Sequence, residues 1–308
     1  MTQRQAGDQL GRWYIIVAAV MWSTSGFFAK APIFDDWPLS DRGIRLAFWR
    51  TLFAGLVLLP FVRQPQWTWK LIPATLTFAF MNVTYLTAIT QTTAANAIWL
   101  QNTAPIWVFL FSAFWLREKI VARDWFILSV SMLGVGFILS FELRQTTRLG
   151  VWPTGVFMGI LAGLGYATVI ISLRQLRQLN GTWLIALNHL VTAGLLAPYI
   201  VWKSAVPSGQ QLMWLAGFGS LQIGIPYVIF SQGLRRITGH EASVLALLEP
   251  ILVPVWVYLA WHNSPSYQAP AYWTIVGGGL ILTGLGLRYL PVSRKSGCAC
   301  YSPHSGSK

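Results

Sequence analysis

The sequence predicts an all-α membrane protein of ten transmembrane helices, arranged as two inverted five-helix repeats. Three observations carry that expectation. Of 308 residues, 55% are hydrophobic and only 10% are charged, where a soluble domain has about a quarter charged. Apolar runs of about twenty residues, enough to cross about 30 Å of hydrocarbon at 1.5 Å per residue, recur ten times with short linkers. The chain also resembles itself at a nearly constant offset.

Taken in order, the spans lie near 13–31, 44–62, 71–91, 95–116, 122–141, 152–173, 183–202, 212–232, 240–261 and 270–290. The first follows a polar stretch, 1–12, and runs into Lys30 with no small-residue cleavage site, so it reads as a retained helix rather than a signal peptide. The second holds Arg50 and the seventh His189. The fourth contains Pro105 after Gln101, Asn102 and Thr103, and the ninth contains Glu249 directly before Pro250. In the sixth, Gly155, Gly159 and Gly163 recur every four residues, a close-packing seam between helices of the bundle. The division that follows is a cytoplasmic tail 1–12, repeats 13–141 and 152–290, and a cytoplasmic tail 291–308. Cys298 and Cys300 both sit in the last segment, too few for a disulfide framework or a four-ligand metal site. Neither a metal nor a cofactor is expected.

The formal net charge of +13 is scattered in short clusters between apolar runs, which argues for topogenic charge and against nucleic acid. With the N-terminus inside, fifteen Lys and Arg fall in inside segments and five in outside ones. This bias puts both termini in the cytoplasm; the chain is expected in a plasma (inner) membrane.

Sliding the chain by 144 sets Gly11 on Gly155, Ala18 on Ala162, Trp22 on Tyr166 and Lys30 on Arg174. A shift of 145 sets Thr93 on Thr238, Ala97 on Ala242 and Pro105 on Pro250. A shift of 139 pairs Arg50 with His189. Five spans per half is odd, so the second half enters the membrane upside down, as in carriers that bind solute between inverted repeats.

Glu249 raises the sharpest question. A carboxylate at the centre of a spanning helix costs roughly 2.5–3.5 kcal/mol on the insertion scale, and an amide would hold helices together equally well. It therefore reads as facing a cavity, either accepting a proton or meeting a cationic group of the solute. Arg50 either anchors an acidic group of the solute or pairs with Glu249. His189 either relays protons or is a buried, hydrogen-bonded histidine, and Lys30 is close enough to a helix end to snorkel. Pro105 and Pro250 are expected to kink their helices and free the carbonyls of Gln101 and Ala246. Trp22, Asn82, Tyr85, Trp99, Gln101, Asn102, Tyr166 and Tyr227 complete the candidate solute-binding set.

The stretches "WYIIVAAVMWSTSGFFAK", "AFWRTLFAGLVLLP", "LTAITQTTAANAIWLQNTAPIWVFLFSAFWLREKI" and "GLRRITGHEASVLALLEPILVPVWVYLAW" resemble the drug/metabolite transporter superfamily, in its ten-helix EamA-type branch. Small residues ahead of a mid-helix proline and the closing Leu116, Arg117 and Glu118 are typical of it. The ninth span departs from the pattern, ending in "WHNS" where the family carries a glutamate. The resemblance implies a secondary carrier, commonly an exporter of amino acids, metabolites or drugs. It also implies that spans one, three, four, six, eight and nine line the cavity. No "HExxH", Walker loop, "GxSxG" or Cys/His cluster is present, so no enzyme is expected. The expectation is alternating access with a small-molecule substrate, a lipid bilayer around the protein and protons as coupling ion, in a monomer or weak homodimer. A channel or scaffold, or a membrane enzyme without a recognisable motif, is the other class the residues leave open.

Overall fold

The computed structural model describes residues 3–114, 122–149, 153–203 and 206–289. The closing Leu116, Arg117 and Glu118 and the tail with Cys298 and Cys300 lie outside the described residues. The described residues form fourteen α-helices and no strand. They are α1 Gln3–Ser23, α2 Ser25–Ala29, α3 Leu39–Leu58, α4 Leu71–Gln91, α5 Ala94–Gln101, α6 Ala104–Phe114, α7 Ala122–Leu149, α8 Thr154–Gln175, α9 Gly181–Lys203, α10 Gly209–Gly219, α11 Ile225–Leu234, α12 Gly239–Ala246, α13 Leu248–Trp261 and α14 Tyr272–Tyr289.

Among the described residues, seven stretches are long and apolar enough to cross a membrane: Leu39–Phe61, Leu71–Gln91, Trp125–Gln145, Thr154–Gln175, Gly181–Lys203, Gly209–Leu234 and Val244–Trp261. A shorter apolar helix spans Tyr272–Leu287. The expected first and fourth spans are interrupted, which leaves neither as one long apolar helix. Residues 3–12, read from sequence as a tail, are helical and continue into α1. There Gly11 lies so close to Arg236 and Ile237 that a Cβ would meet the Arg236 side chain at 2.7 Å, and Arg12 pairs with Glu241.

The interruptions have local causes. Between α1 and α2, the hydroxyls of Ser23 and Thr24 donate to the carbonyls of Val20 and Met21, both at 2.6 Å, competing with the helical ladder. Between α5 and α6, Asn102 Nδ2 donates to Ile98 O at 2.8 Å and Thr103 Oγ1 to Leu100 O at 2.6 Å. Between α10 and α11, the chain takes a π-helical turn over Ser220–Gly224 just before Pro226, which has no N–H to offer an α-helical ladder.

The two expected proline kinks are breaks instead, and each falls ahead of its proline. Helix α5 ends at Gln101 and α12 at Ala246; Pro105 and Pro250 then sit in the first turns of α6 and α13. A first-turn residue needs no intrahelical donor, so proline is tolerated there.

Packing pairs α4 with α8, α7 with α14, α3 with α9 and α1 with α11. The α8 glycines make the expected seam. A Cβ on Gly155 would meet Gln91 and Thr92 backbone at 2.7–2.8 Å, one on Gly159 the Leu100 side chain at 3.0 Å, and one on Gly163 the Leu100 carbonyl at 2.7 Å. The seam thus seats α8 directly on the end of α4 and on α5.

Candidate functional site

Arg50 is the centre of the interior polar cluster. It projects from α3 with 5% of its surface exposed, because its helix is covered by α9, α10 and the π-helical turn. Its guanidinium carbon lies 5.1 Å from the centroid of Phe218, a cation–π placement. Its Nε and Nη1 are buried and have no hydrogen-bond partner. The charge of Arg50 acts on Tyr85 of α4, Tyr227 of α11, Glu249 of α13 and His189 of α9. Four side chains from four helices therefore share one electrostatic neighbourhood.

Each of these groups is held by local chemistry. Tyr85 is buried, its hydroxyl 2.8 Å from Ser25 Oγ at the start of α2. Tyr227 packs edge-on against Trp22, with centroids 5.1 Å apart, and Trp22 also meets Phe230 at 4.8 Å. The Trp22 Nε1 is buried without a partner. His189 is fully buried, its ring edge-on to Phe78 at 4.9 Å and 6.1 Å from Tyr227, and neither ring nitrogen has a hydrogen bond. Glu249 is half-buried one residue past the α12–α13 break. The charge of Arg50 is felt at Glu249, but the two form no ion pair, unlike Arg12 with Glu241 and Arg42 with Asp35.

The remaining candidates have the following surroundings. The Trp99 Nε1 donates to the Pro250 carbonyl at 2.9 Å and its ring lies on Gly278. Asn82, 1% exposed, donates to the Phe78 carbonyl of its own helix at 3.1 Å. Gln101 and Asn102 sit half-buried at the α5–α6 break. Lys30 ends α2 near Asp35 and Arg42. Tyr166 is 39% exposed on α8.

Several polar residues at the interior escaped the sequence reading. Gln222, 2% exposed in the π-helical turn, donates through Nε2 to the Trp22 carbonyl at 2.8 Å, while its Oε1 is unpartnered. That carbonyl is free because α1 breaks at Thr24. A polar residue four positions ahead of a proline was the available signal, since Gln222 and Pro226 repeat the spacing of Gln101 and Pro105. Ser23 accepts from Trp256 Nε1 at 2.8 Å. Glu142, on α7, accepts from Asn96 Nδ2 at 2.9 Å and from Trp273 Nε1 at 3.1 Å, tying α5, α7 and α14 together.

The sequence pattern of the EamA-like transporter family matches residues 9–140 and again 153–288. The chain belongs to the EamA-like transporter family. This EamA-like transporter is an integral, multi-pass membrane protein, and its relatives are named as transporters rather than enzymes. An uncharacterised transporter of Archaeoglobus fulgidus is 26% identical over 89% of this chain and 94% of its own. The pseudopaline exporter CntI of Pseudomonas aeruginosa is 28% identical over 65% of this chain and 67% of its own. A chain of known crystal structure shares the fold, with a TM-score of 0.61 at 16% identity, covering 90% of the EamA-like transporter and 95% of that chain.

Proposed function

We propose that this protein is a secondary carrier of small organic solutes, amino acids or related solutes or drugs, working by alternating access between two inverted five-helix repeats. The observation that carries the reading is the convergence of Tyr85, His189, Tyr227 and Glu249, from both halves of the chain, on the buried Arg50. A central polar site walled by aromatic rings at the seam of two halves is what a carrier needs.

Two features support the repeat and the ten-span count. Thr93 caps α5 by accepting from Asn96 N at 3.1 Å, and Thr238 caps α12 by accepting from Glu241 N at 3.3 Å. These threonines are 145 positions apart, and each opens an eight-residue helix that breaks before a proline. Exchanging the halves also turns the α4–α8 contact into the α11–α1 contact, and both are extensive. On this reading α1 with α2, α5 with α6, and α12 with α13 are broken spans whose interruptions face the site.

Export is the proposed direction, in keeping with the name of the Pseudomonas aeruginosa relative, and protons are the proposed coupling ion through Glu249. We place both termini in the cytoplasm of a plasma (inner) membrane and treat the protein as a monomer or weak homodimer. Proteoliposomes screened with amino acids, amines and nucleoside metabolites, with and without a pH gradient, test the function. Saturable, gradient-driven flux is expected; non-saturating flux through every condition would mark a channel instead.

The topology has its own test. In a variant lacking Cys298 and Cys300, single cysteines at Asp36 and Ser266 are expected to label from outside with an impermeant reagent, and one at Arg235 is not. Labelling of all three from one side rejects the inverted arrangement. Trp22→Ala and Tyr166→Ala are each expected to weaken apparent solute affinity while expression holds. Unchanged affinity in both variants would make these aromatics packing residues.

A further inference from the structure

The interior holds a surplus of hydrogen-bond donors around Arg50. Its Nε and Nη1 are buried without acceptors, and Trp22 Nε1, on the ring that packs against Tyr227, is a third such donor. The leftover side-chain acceptors on the neighbouring helices are all neutral: the amide oxygens of Gln222 and Asn188 and one ring nitrogen of His189. Two buried guanidinium donors with no acceptor are a costly arrangement that an incoming anion would relieve. Glu249, the carboxylate in its field, forms no ion pair with it.

We infer that Arg50 anchors an oxyanion of the transported solute, and that the solute class is a small organic carboxylate with an apolar or aromatic body. The inference rests on the carrier reading above and narrows its substrate. The planar guanidinium matches a carboxylate through two parallel N–H bonds. A phosphate dianion fits less well: Arg50 is the single permanent cation of the cluster, Lys30 is placed with Asp35 and Arg42, and Glu249 repels added negative charge. The body of the solute meets rings: Phe218 lies under the guanidinium, Tyr227 lies in its field, and Trp22 packs on Tyr227 and Phe230. Both Arg50 donors are closed off from solvent here, so the solute reaches them only as the surrounding helices part, the movement a carrier makes in every cycle.

The test uses the full chain in lipid nanodiscs and three probes on one skeleton: 3-phenylpropionate, phenethylamine and phenyl phosphate. Binding is followed by quenching of tryptophan fluorescence. The carboxylate is expected to bind, the amine is not, and the phosphate is expected to bind more weakly than the carboxylate. Arg50→Gln is expected to weaken carboxylate binding roughly tenfold to a hundredfold, the range for losing a charge-assisted hydrogen bond, and Arg50→Lys to recover part of it. If Arg50→Gln fails to fold, the discrimination of the wild-type protein between carboxylate and amine decides alone. Equal binding of carboxylate and amine, no binding of the carboxylate, or unchanged affinity in a folded Arg50→Gln overturns the inference; tighter binding of the phosphate overturns the carboxylate assignment. Counterflow in proteoliposomes separates this from the carrier reading. Carboxylate binding without counterflow leaves the anion site and rejects the carrier, whereas saturable counterflow of the amine alone does the reverse.

Discussion

Replacing Glu249 by glutamine is expected to abolish proton-driven flux while folding and membrane insertion hold. The amide keeps the shape and hydrogen-bonding capacity of the side chain but removes its titration. It also removes a charge that costs roughly 2.5–3.5 kcal/mol at the centre of a spanning helix, so stability should not fall. Glu249 is half-buried at the start of α13, within the field of Arg50 and without an ion-pair partner. Such a carboxylate can take up and release a proton while the solute occupies or leaves the neighbouring site. Accumulation under an imposed pH gradient and solute-for-solute counterflow are the two measurements. Accumulation is expected to vanish and counterflow to survive. A variant that still concentrates solute against a gradient with the pH profile of the wild type would leave Glu249 a structural residue and move the coupling elsewhere.

Gly278→Ala is expected to be the most damaging single methyl in the described protein. Its Cβ would fall inside the van der Waals surface of the Trp99 ring. That ring cannot step aside freely, because its Nε1 is bonded to the Pro250 carbonyl at 2.9 Å and the side chain is 7% exposed. Overpacking of this kind costs about 1–3 kcal/mol, and a broken hydrogen bond adds about 1 kcal/mol. The variant should melt at lower temperature in detergent than the wild type. Trp99→Leu in the same chain should relieve part of the loss, so the double variant is expected to be less destabilised than the two single effects added together. Melting of Gly278→Ala at the wild-type temperature would show that α14 does not press on Trp99 as described.

The same Trp99 shows where sequence reasoning stops. An aromatic residue in a candidate cavity helix reads as a wall of the site or as packing, and only the tertiary structure shows that Trp99 is bonded to a residue 151 positions away. Arg50 went the other way. As a mid-span arginine it pointed to function from the start, but whether it pairs with Glu249 depends on the side-chain directions of two separate helices, and the structure leaves the two unpaired. Gln222 was passed over because one amide in an apolar run is a weak signal. Its importance comes from a π-helical turn and a broken neighbouring helix, both effects of chain geometry that local composition does not reveal. The proline breaks were half legible: the residue type announced an interruption but not its position ahead of the proline, and at the first of them the Asn102 and Thr103 side chains bond back to the Ile98 and Leu100 carbonyls.

The sequence by itself determined that the described protein is built of helices and that its chain lives in a membrane, because apolar runs of spanning length leave the backbone no partner but itself. It also determined which few polar residues would be expensive enough to matter, since burial in hydrocarbon penalises Arg50, His189 and Glu249 wherever the helices are placed. Only the tertiary structure decided which of these meet. Helices in a membrane associate through close packing, small-residue seams and hydrogen bonds rather than through a hydrophobic pattern of their own, so periodicity carries little record of neighbours. The seating of α8 on α4 and α5, the break at Thr24 and the turn at Gln222 together bring Trp22, Tyr85, His189, Tyr227 and Glu249 around one arginine.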